Sequence, residues 1–298
     1  MRIAGAVDIG GTSTKIGIVR EDGEILHRTT VATAPEGEPG PLVDAISAEL
    51  SSMIGAMGPS SPLAGVGVSV AGFLDREHSA MIQNANLPAL MGFSLRSALE
   101  SRLSLECRLE VDSNAAAVAE FRFGAGRGST RLLGVTVGTG LGCAVIIDGK
   151  LLRFTGECVG DPGHIILDPN GRACTCGARG CFEAMVNSAS VSDRGGGRSP
   201  RDIVNAARNG ESEALKALTE TASWLGLGLA SLFPIFQPDR IVVGGGIAAA
   251  GQLLLDPTRD SFRKHGSPDC SQIALVGSEL DGWEGMVGAG NLFLNPQV

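Results

Sequence analysis

Ile3-Ala4-Gly5-Ala6-Val7-Asp8-Ile9-Gly10-Gly11-Thr12 is the stretch from which the rest of the chain can be read. A β-rich run, Ile3–Val7, breaks at Asp8-Ile9-Gly10-Gly11-Thr12 and resumes at Lys15–Val19. It then turns at Asp22-Gly23 and continues through Glu24–Val31. Apolar runs bounded by Gly and Asp turns predict a β-meander. The plan returns at Leu132–Val137. There Gly138-Thr139-Gly140-Leu141-Gly142 is the break, Cys143–Ile147 the second run and Asp148-Gly149 the turn before a third run. Two meanders with matching glycine breaks predict a duplicated α/β fold with a cleft between its halves.

Between the meanders, Leu42, Ile46, Leu50, Met53, Ile54 and Met57 recur at helical spacing, with Pro41 suited to a first helical turn. Ala64–Val70 reads as a buried strand ending in Ala71-Gly72. Leu95, Leu99 and Leu103 predict a helix with Ser94 as its N-cap, and Leu105–Val111 another strand. Asp112-Ser113-Asn114 therefore falls at a strand-to-helix junction. Beyond the second meander come a cysteine cluster and a glycine loop, Gly195-Gly196-Gly197. Ser199-Pro200 then opens a helix that stops at Gly210. A long apolar helix follows, and the strand Arg240–Val243 runs into Gly244-Gly245-Gly246, a strand–glycine–helix passage suited to a nucleotide.

At 298 residues, 43% hydrophobic and 19% charged, the chain has the size of roughly two domains and the composition of a folded globular protein. Its 43 glycines follow no fixed period, which excludes collagen and assigns the excess to turns and close backbone approaches. A net charge of −8 repels polyanions and leaves no basic footprint for nucleic acid. Asp8 arrives before a signal-peptide apolar core can form, so a cytoplasmic protein is expected. The longest uncharged run, Thr221 to Pro238, contains Ser223, Ser231, Pro234 and Gln237. It is read as a buried helix ending near Pro234 and not as a membrane span.

Three of the seven cysteines crowd into Cys174–Cys181, which favours a metal over a disulfide framework. Cys174-x-Cys176-x4-Cys181, preceded by His164, offers three thiolates and one imidazole. That is a complete tetrahedral Zn²⁺ set with no open position, hence a structural site. The glycines at 10–11, 138–142 and 244–246 suit loops in which backbone N–H groups approach phosphate oxygens with no Cβ in the way.

Taken in order, Asp8-Ile9-Gly10-Gly11-Thr12 with Lys15, Gly65–Asp75, Asn86-Leu87-Pro88, Asp112-Ser113-Asn114-Ala115-Ala116, Gly138–Gly142, Gly163-His164, Cys174–Glu183 and Gly244-Gly245-Gly246 resemble the ROK family (repressor, open reading frame, kinase) of the actin–hexokinase superfamily, over nearly the whole chain. The resemblance implies two ribonuclease-H-like domains. Residues 1–115, joined by a C-terminal helix at 286–298, would form the first, and residues 116–285 the second. It implies ATP with Mg²⁺, a small sugar or cyclitol substrate and a homo-oligomer, dimer or tetramer. Asp112 takes the family's catalytic-base position. Asp8, Gly10, Gly11, Thr12, Lys15, Gly138, Thr139, Gly140 and Gly142 fall to the triphosphate and its Mg²⁺, and Gly244, Gly245 and Gly246 to adenosine. Gly72, Asn86, Val111, Asp161, His164 and Glu183 fall to the sugar. His164 would meet the sugar with one ring nitrogen and zinc with the other.

Within the family, a repressor needs a helix-turn-helix segment ahead of the first phosphate motif, where only seven residues precede Asp8. A sugar-binding relic would have no need of Asp112 or of three glycine loops. An ATP-dependent kinase is therefore expected. Two positions depart from the pattern of ROK hexokinases: Val111 stands where Asn usually precedes the catalytic aspartate, and Asp161-Pro162-Gly163-His164 replaces Glu-x-Gly-His. Two sugar-hydroxyl contacts are thereby altered. A hexose-like substrate other than ordinary glucose is expected, such as a cyclitol or carbasugar phosphorylated on its exocyclic CH₂OH, with a tolerant glucokinase as the alternative.

Overall fold

The computed structural model describes residues 1–58, 62–83, 87–153 and 161–296. It divides the chain into two compact units, one of Met1–Gly124, Lys150–Cys158 and Trp283–Val298, the other of Ala125–Gly149 and Val159–Gly282.

The first unit begins with the meander β1 (Ile3–Ile9), β2 (Ser13–Arg20) and β3 (Ile25–Ala32). The β1 strand runs two residues past the expected break, because Asp8 and Ile9 still pair with Lys15 and Thr14. Next come α1 (Pro39–Met57), β4 (Val66–Val70), the short hairpin β5 (Phe73–Leu74) and β6 (Met81–Gln83), and α2 (Leu95–Leu103). Ser94 does precede α2, but its hydroxyl makes no capping bond. The strand β7 (Cys107–Val111) passes directly into α3 (Asp112–Phe123). The sheet order is β3-β2-β1-β4-β7. Its first two pairings are antiparallel and the pairings of β4 with β1 and β7 are parallel.

Burial follows position in the sheet. The central β4 is buried at every residue, as a strand covered on both faces must be, while the outer β3 alternates. One layer comes from α1 and α2. Ile46 and Leu50 of α1 and Leu95 and Leu99 of α2 join Val7, Ile16 and Val68 of the sheet in one core.

The second unit repeats the plan. It contains β8 (Arg131–Val137), β9 (Leu141–Ile147), the helices α4 (Phe182–Val186), α5 (Ser188–Arg194), α6 (Pro200–Arg208) and α7 (Ser212–Phe236), then β11 (Arg240–Gly244), α8 (Gln252–His265) and β12 (Ala274–Gly277), while the outer strand of its sheet, β10 (Lys150–Leu151), opens the segment Lys150–Cys158 counted with the first unit. The sheet order is β10-β9-β8-β11-β12, with β11 parallel to both neighbours. The cap of α6 is as expected, Ser199 accepting from the N–H of Asp202. The long helix α7 carries on through Pro234 to Phe236, because a proline in the last turn removes one N–H without stopping the turn that already surrounds it. Among the described residues no helix is long and apolar enough to cross a membrane.

The chain then contributes α9 (Glu284–Leu294) to the first unit, where it packs on β1, β4 and α3. The approach is close enough to dictate residue type. A Cβ at Gly67 would overlap the carbonyl of Ala289, and one at Gly288 the carbonyl of Ala115. By contrast, Gly55 in α1 faces open space. Gly288→Ala should therefore lower stability by at least about 3 kcal/mol, the upper end for an overpacked contact, whereas Gly55→Ala should raise it by about 0.5–1 kcal/mol. Denaturant unfolding of the two variants checks both signs.

Candidate active site and metal-binding cluster

In the first unit the functional side chains gather at the carboxyl ends of the parallel strands, where ligands of open α/β sheets bind. Asp8 lies near the end of β1, opposite Ser69 of β4 and Lys15 of β2. Its Oδ1 accepts from the Ser69 hydroxyl at 2.8 Å, and its Oδ2 lies 3.5 Å from Lys15 Nζ. Gly285, in the first turn of α9, faces the same carboxylate. A Cβ there would come 2.7 Å from Asp8 Cγ. Gly72 follows β4 in the left-handed region, φ +106°, while Gly10 takes part in the tight turn to Ser13.

Asp112 follows β7 and opens α3, its Oδ1 accepting from the N–H of Ser113 at 2.7 Å. Burial, and then the negative charge of Asp8, push its carboxyl from 3.8 up to about 7. A carboxyl poised there can take a proton near neutral pH. Val111, immediately before it, is buried and offers no side-chain hydrogen bond.

The second unit places two glycine loops side by side. Parallel pairing of β11 with β8 aligns Gly244 with Thr136, so the turns after both strands emerge together. Gly245 takes φ +89° over Val137, whose carbonyl would be 2.5 Å from an added Cβ. The N–H of Ile247 bonds that same carbonyl at 3.1 Å. Thr139, at the tip of the loop after β8, is exposed.

Glu183 reaches the same loop, its Oε2 accepting from the N–H of Leu141 at 2.9 Å. A Cβ on Gly140 would come 2.6 Å from that oxygen. A side chain at Gly140 would therefore displace the end of the Glu183 side chain, a coupling that glycine-motif reading does not reveal.

His164, Cys174, Cys176 and Cys181 place one donor atom each within 4.8 Å of all the others. His164 Nδ1 is 3.5 Å from Cys174 Sγ, and Cys176 Sγ is 3.6 Å from Cys181 Sγ. A tetrahedral zinc site with bonds of about 2.3 Å to sulfur and 2.0 Å to nitrogen has edges of about 3.5–3.8 Å, so the donor set fits the ion. The backbone supports it. The N–H of Gly177, at φ +91°, bonds the carbonyl of Cys174 and closes a tight turn around the first two cysteines. The N–H of Ala178, then Cys174, holds the Cys176 thiol below its ordinary range, toward the thiolate that ligates metals. His164 Nε2 lies 3.3 Å from Asp161 Oδ2, the carboxylate–imidazole arrangement that fixes a ligating histidine. Asp161, expected at the sugar, thus also meets His164, which was expected at both the sugar and zinc. Asn86 lies outside the described residues.

Three residues near Asp8 and Asp112 escaped the sequence reading. Ser69 looks like one more small residue in an apolar strand, yet it bonds Asp8. Glu284, in the first turn of α9, is buried with Oε2 lacking a hydrogen-bond partner among the described residues, and burial raises its carboxyl above the ordinary range. The face of Trp283 receives Arg28 at 4.7 Å and Lys15 at 6.0 Å. All come from other strands or from the far end of the chain, where local spacing carries no signal.

A duplicated α/β protein in which each half carries a three-strand meander followed by two parallel strands belongs to the actin–hexokinase fold class, and solved structures agree. A ROK glucokinase from Streptomyces griseus, in complex with glucose and AMPPNP, superposes with a TM-score of 0.82 at 34% identity, over 97% of this chain and 98% of that one. The glucokinase of Streptomyces coelicolor is 34% identical over 97% of each chain. An N-acetylmannosamine kinase of Escherichia coli is 32% identical over 85% of this chain and 86% of its own. The profile of the ROK family matches residues 4–295, and the chain belongs to the ROK family.

The Asp112 environment has a thermodynamic signature. Because its pKa in the folded chain lies above the ordinary carboxylate value, the folded state binds this proton more tightly than the unfolded chain. That contribution to stability is complete near pH 4 and is lost as pH rises toward 7. Asp112→Asn, uncharged throughout, should be more stable than the parent at pH 8, with the difference closing toward pH 4. Denaturant midpoints at the two pH values measure it.

Proposed function

We propose that this ROK protein, an ATP-dependent sugar kinase, transfers the γ-phosphoryl group of ATP to the exocyclic primary hydroxyl of a hexose-like substrate other than ordinary glucose. The observation that carries the mechanism is Asp112, whose carboxyl is raised to about 7 beside Asp8. Phosphoryl transfer asks the protein chiefly for alignment, charge neutralisation and a group to receive the hydroxyl proton. Asp112 receives that proton as the substrate oxygen bonds to the γ-phosphorus and the bond to the β-bridging oxygen breaks. Asp8 would hold Mg²⁺ through water, and the ion supplies charge neutralisation on the nucleotide when bound. Gly10, Gly11, Thr12 and Lys15 serve the phosphates, as do the loops Gly138–Gly142 and Gly244–Gly246.

The choice of substrate is supported by two positions. Val111 is buried where ROK hexokinases usually present Asn, so a hydroxyl that an Asn would bind must be absent, reoriented or left to water. Leaving it buried and unpaired costs about 1–3 kcal/mol. Asp161 is a methylene shorter than the usual Glu and lies against His164. Cyclitols and carbasugars bearing an exocyclic CH₂OH fit these departures. Glu183 and Gly72 remain as polar and backbone contacts to the ring, while His164 faces the cysteine cluster through Nδ1 and Asp161 through Nε2.

His164, Cys174, Cys176 and Cys181 would hold a structural Zn²⁺, which contributes folding free energy when bound. Through the turn from Cys181 to Glu183 that stability extends to the carboxylate on Leu141.

ADP release should be measured across hexoses, hexose epimers, cyclitols and carbasugars. Asp112→Asn should lower kcat by about 10²–10⁴-fold, and kcat/KM of the parent should rise with pH to a plateau above about 7, where Asp112 is ionised. Val111→Asn should raise kcat/KM for glucose. If glucose is the best substrate and Val111→Asn leaves it unimproved, the substrate reading fails while the kinase reading stands. Metal analysis of chelator-free protein should find one zinc per chain, and Cys176→Ser should lower Tm and activity together.

A further inference from the structure

A cavity of about 290 Å³ lies within the first unit, walled by β7, the start of α2, the β5–β6 hairpin and the C-terminal half of α9. Its polar lining is His78, Arg96, Arg108, Glu110 and Arg153, and Phe293 contributes to its apolar side. None of the residues assigned to phosphoryl transfer lines it.

Three guanidinium groups reach this space from three separate elements, each held by a carboxylate. Arg96 places Nε on Glu100 at 3.2 Å, and Glu100 in turn accepts from the N–H of Cys107. Arg108 pairs with Glu106 at 2.8 Å and stacks on the Phe293 ring at 4.6 Å. Arg153 binds Glu110 through both terminal nitrogens, at 3.1 and 2.6 Å. Glu100 and Glu106 do not line the cavity, so the wall shows its ligand three cations and one carboxylate. That carboxylate, Glu110, is buried and already accepts from the N–H of Val111, from Asn114 Nδ2 and from Arg153.

His78 completes the wall. It stands in the left-handed region at φ +49°, and its Nδ1 lies 3.1 Å from the Leu109 carbonyl, which can only accept. The imidazole therefore donates from Nδ1 and is fixed in orientation. A strained backbone holding an oriented ring is a recurrent feature of ligand clamps. Here Asp75 supports it by accepting from Ser79 and from the N–H of Ala80.

We propose that this cavity binds a small phosphate-bearing anion, either free phosphate or a phosphomonoester. Guanidinium forks from three directions suit the tetrahedral oxygens of a phosphate better than the single plane of a carboxylate. The volume admits a phosphate with a short polar tail and is too small for a nucleotide.

Calorimetric titration of the full chain with inorganic phosphate, and in a second arm with glycerol 3-phosphate, tests the assignment with and without a saturating non-hydrolysable ATP analogue. Binding in at least one arm should persist beside the analogue and weaken at least about tenfold in Arg96→Gln, a half-exposed residue whose loss leaves the core intact. The arm that responds identifies the source of the phosphate. Absence of binding in both arms, displacement by the analogue, or unchanged affinity in both Arg96→Gln and Arg108→Gln would overturn the proposal.

Discussion

The first unit depends on how closely one helix can approach a sheet. The α9 helix meets β4 and α3 at positions where the partner backbone occupies the space a methyl group would need, so Gly67 and Gly288 admit no side chain. Gly285 in the same helix lies against the carboxylate of Asp8, so the strand that carries Asp8 and the helix that covers it cannot shift independently. Interiors packed at this density transmit displacement and do not absorb it.

On that frame two acids face one another. Asp8 is held by Ser69 and Lys15, whereas among the described residues Asp112 accepts from the N–H of Ser113 at its own helix start. Burial and the facing charge of Asp8 push the Asp112 carboxyl upward. In the second unit, Glu183 bonds the loop after β8 and follows Cys181 by two residues, so the cysteine cluster and the glycine loop are parts of one local structure.

Local features were the legible part. The meander pattern around Asp8-Ile9-Gly10-Gly11-Thr12 and its echo at Leu132–Ile147 correspond to the two sheets, because β-branched runs and glycine turns act over a few residues. The Cys174–Cys181 spacing could be read for the same reason, since the turn at Gly177 sets the distances that matter. Pro234 marked the end of α7 to within two residues, since a proline can sit in the last turn of a helix. Ser69, Glu284, Trp283 and the pair Arg153–Glu110 were silent, since each acts on a residue far away in the chain. Asp161, placed on the sugar by resemblance, also lies 3.3 Å from His164 Nε2, a contact that the motif pattern did not announce.

The chain order of the first unit bears on how it is made. The strands β1 to β7 and α3 are synthesised before the second unit, and α9 only after it. A nascent chain therefore carries a first sheet whose α9-facing side, including the bare backbone at Gly67, stays uncovered while the whole second unit is translated. The second unit can close around its own core as it emerges, as domains generally do during synthesis. Asp8, among the first residues made, can meet Gly285 and the rest of α9 only once the last part of the chain has been synthesised.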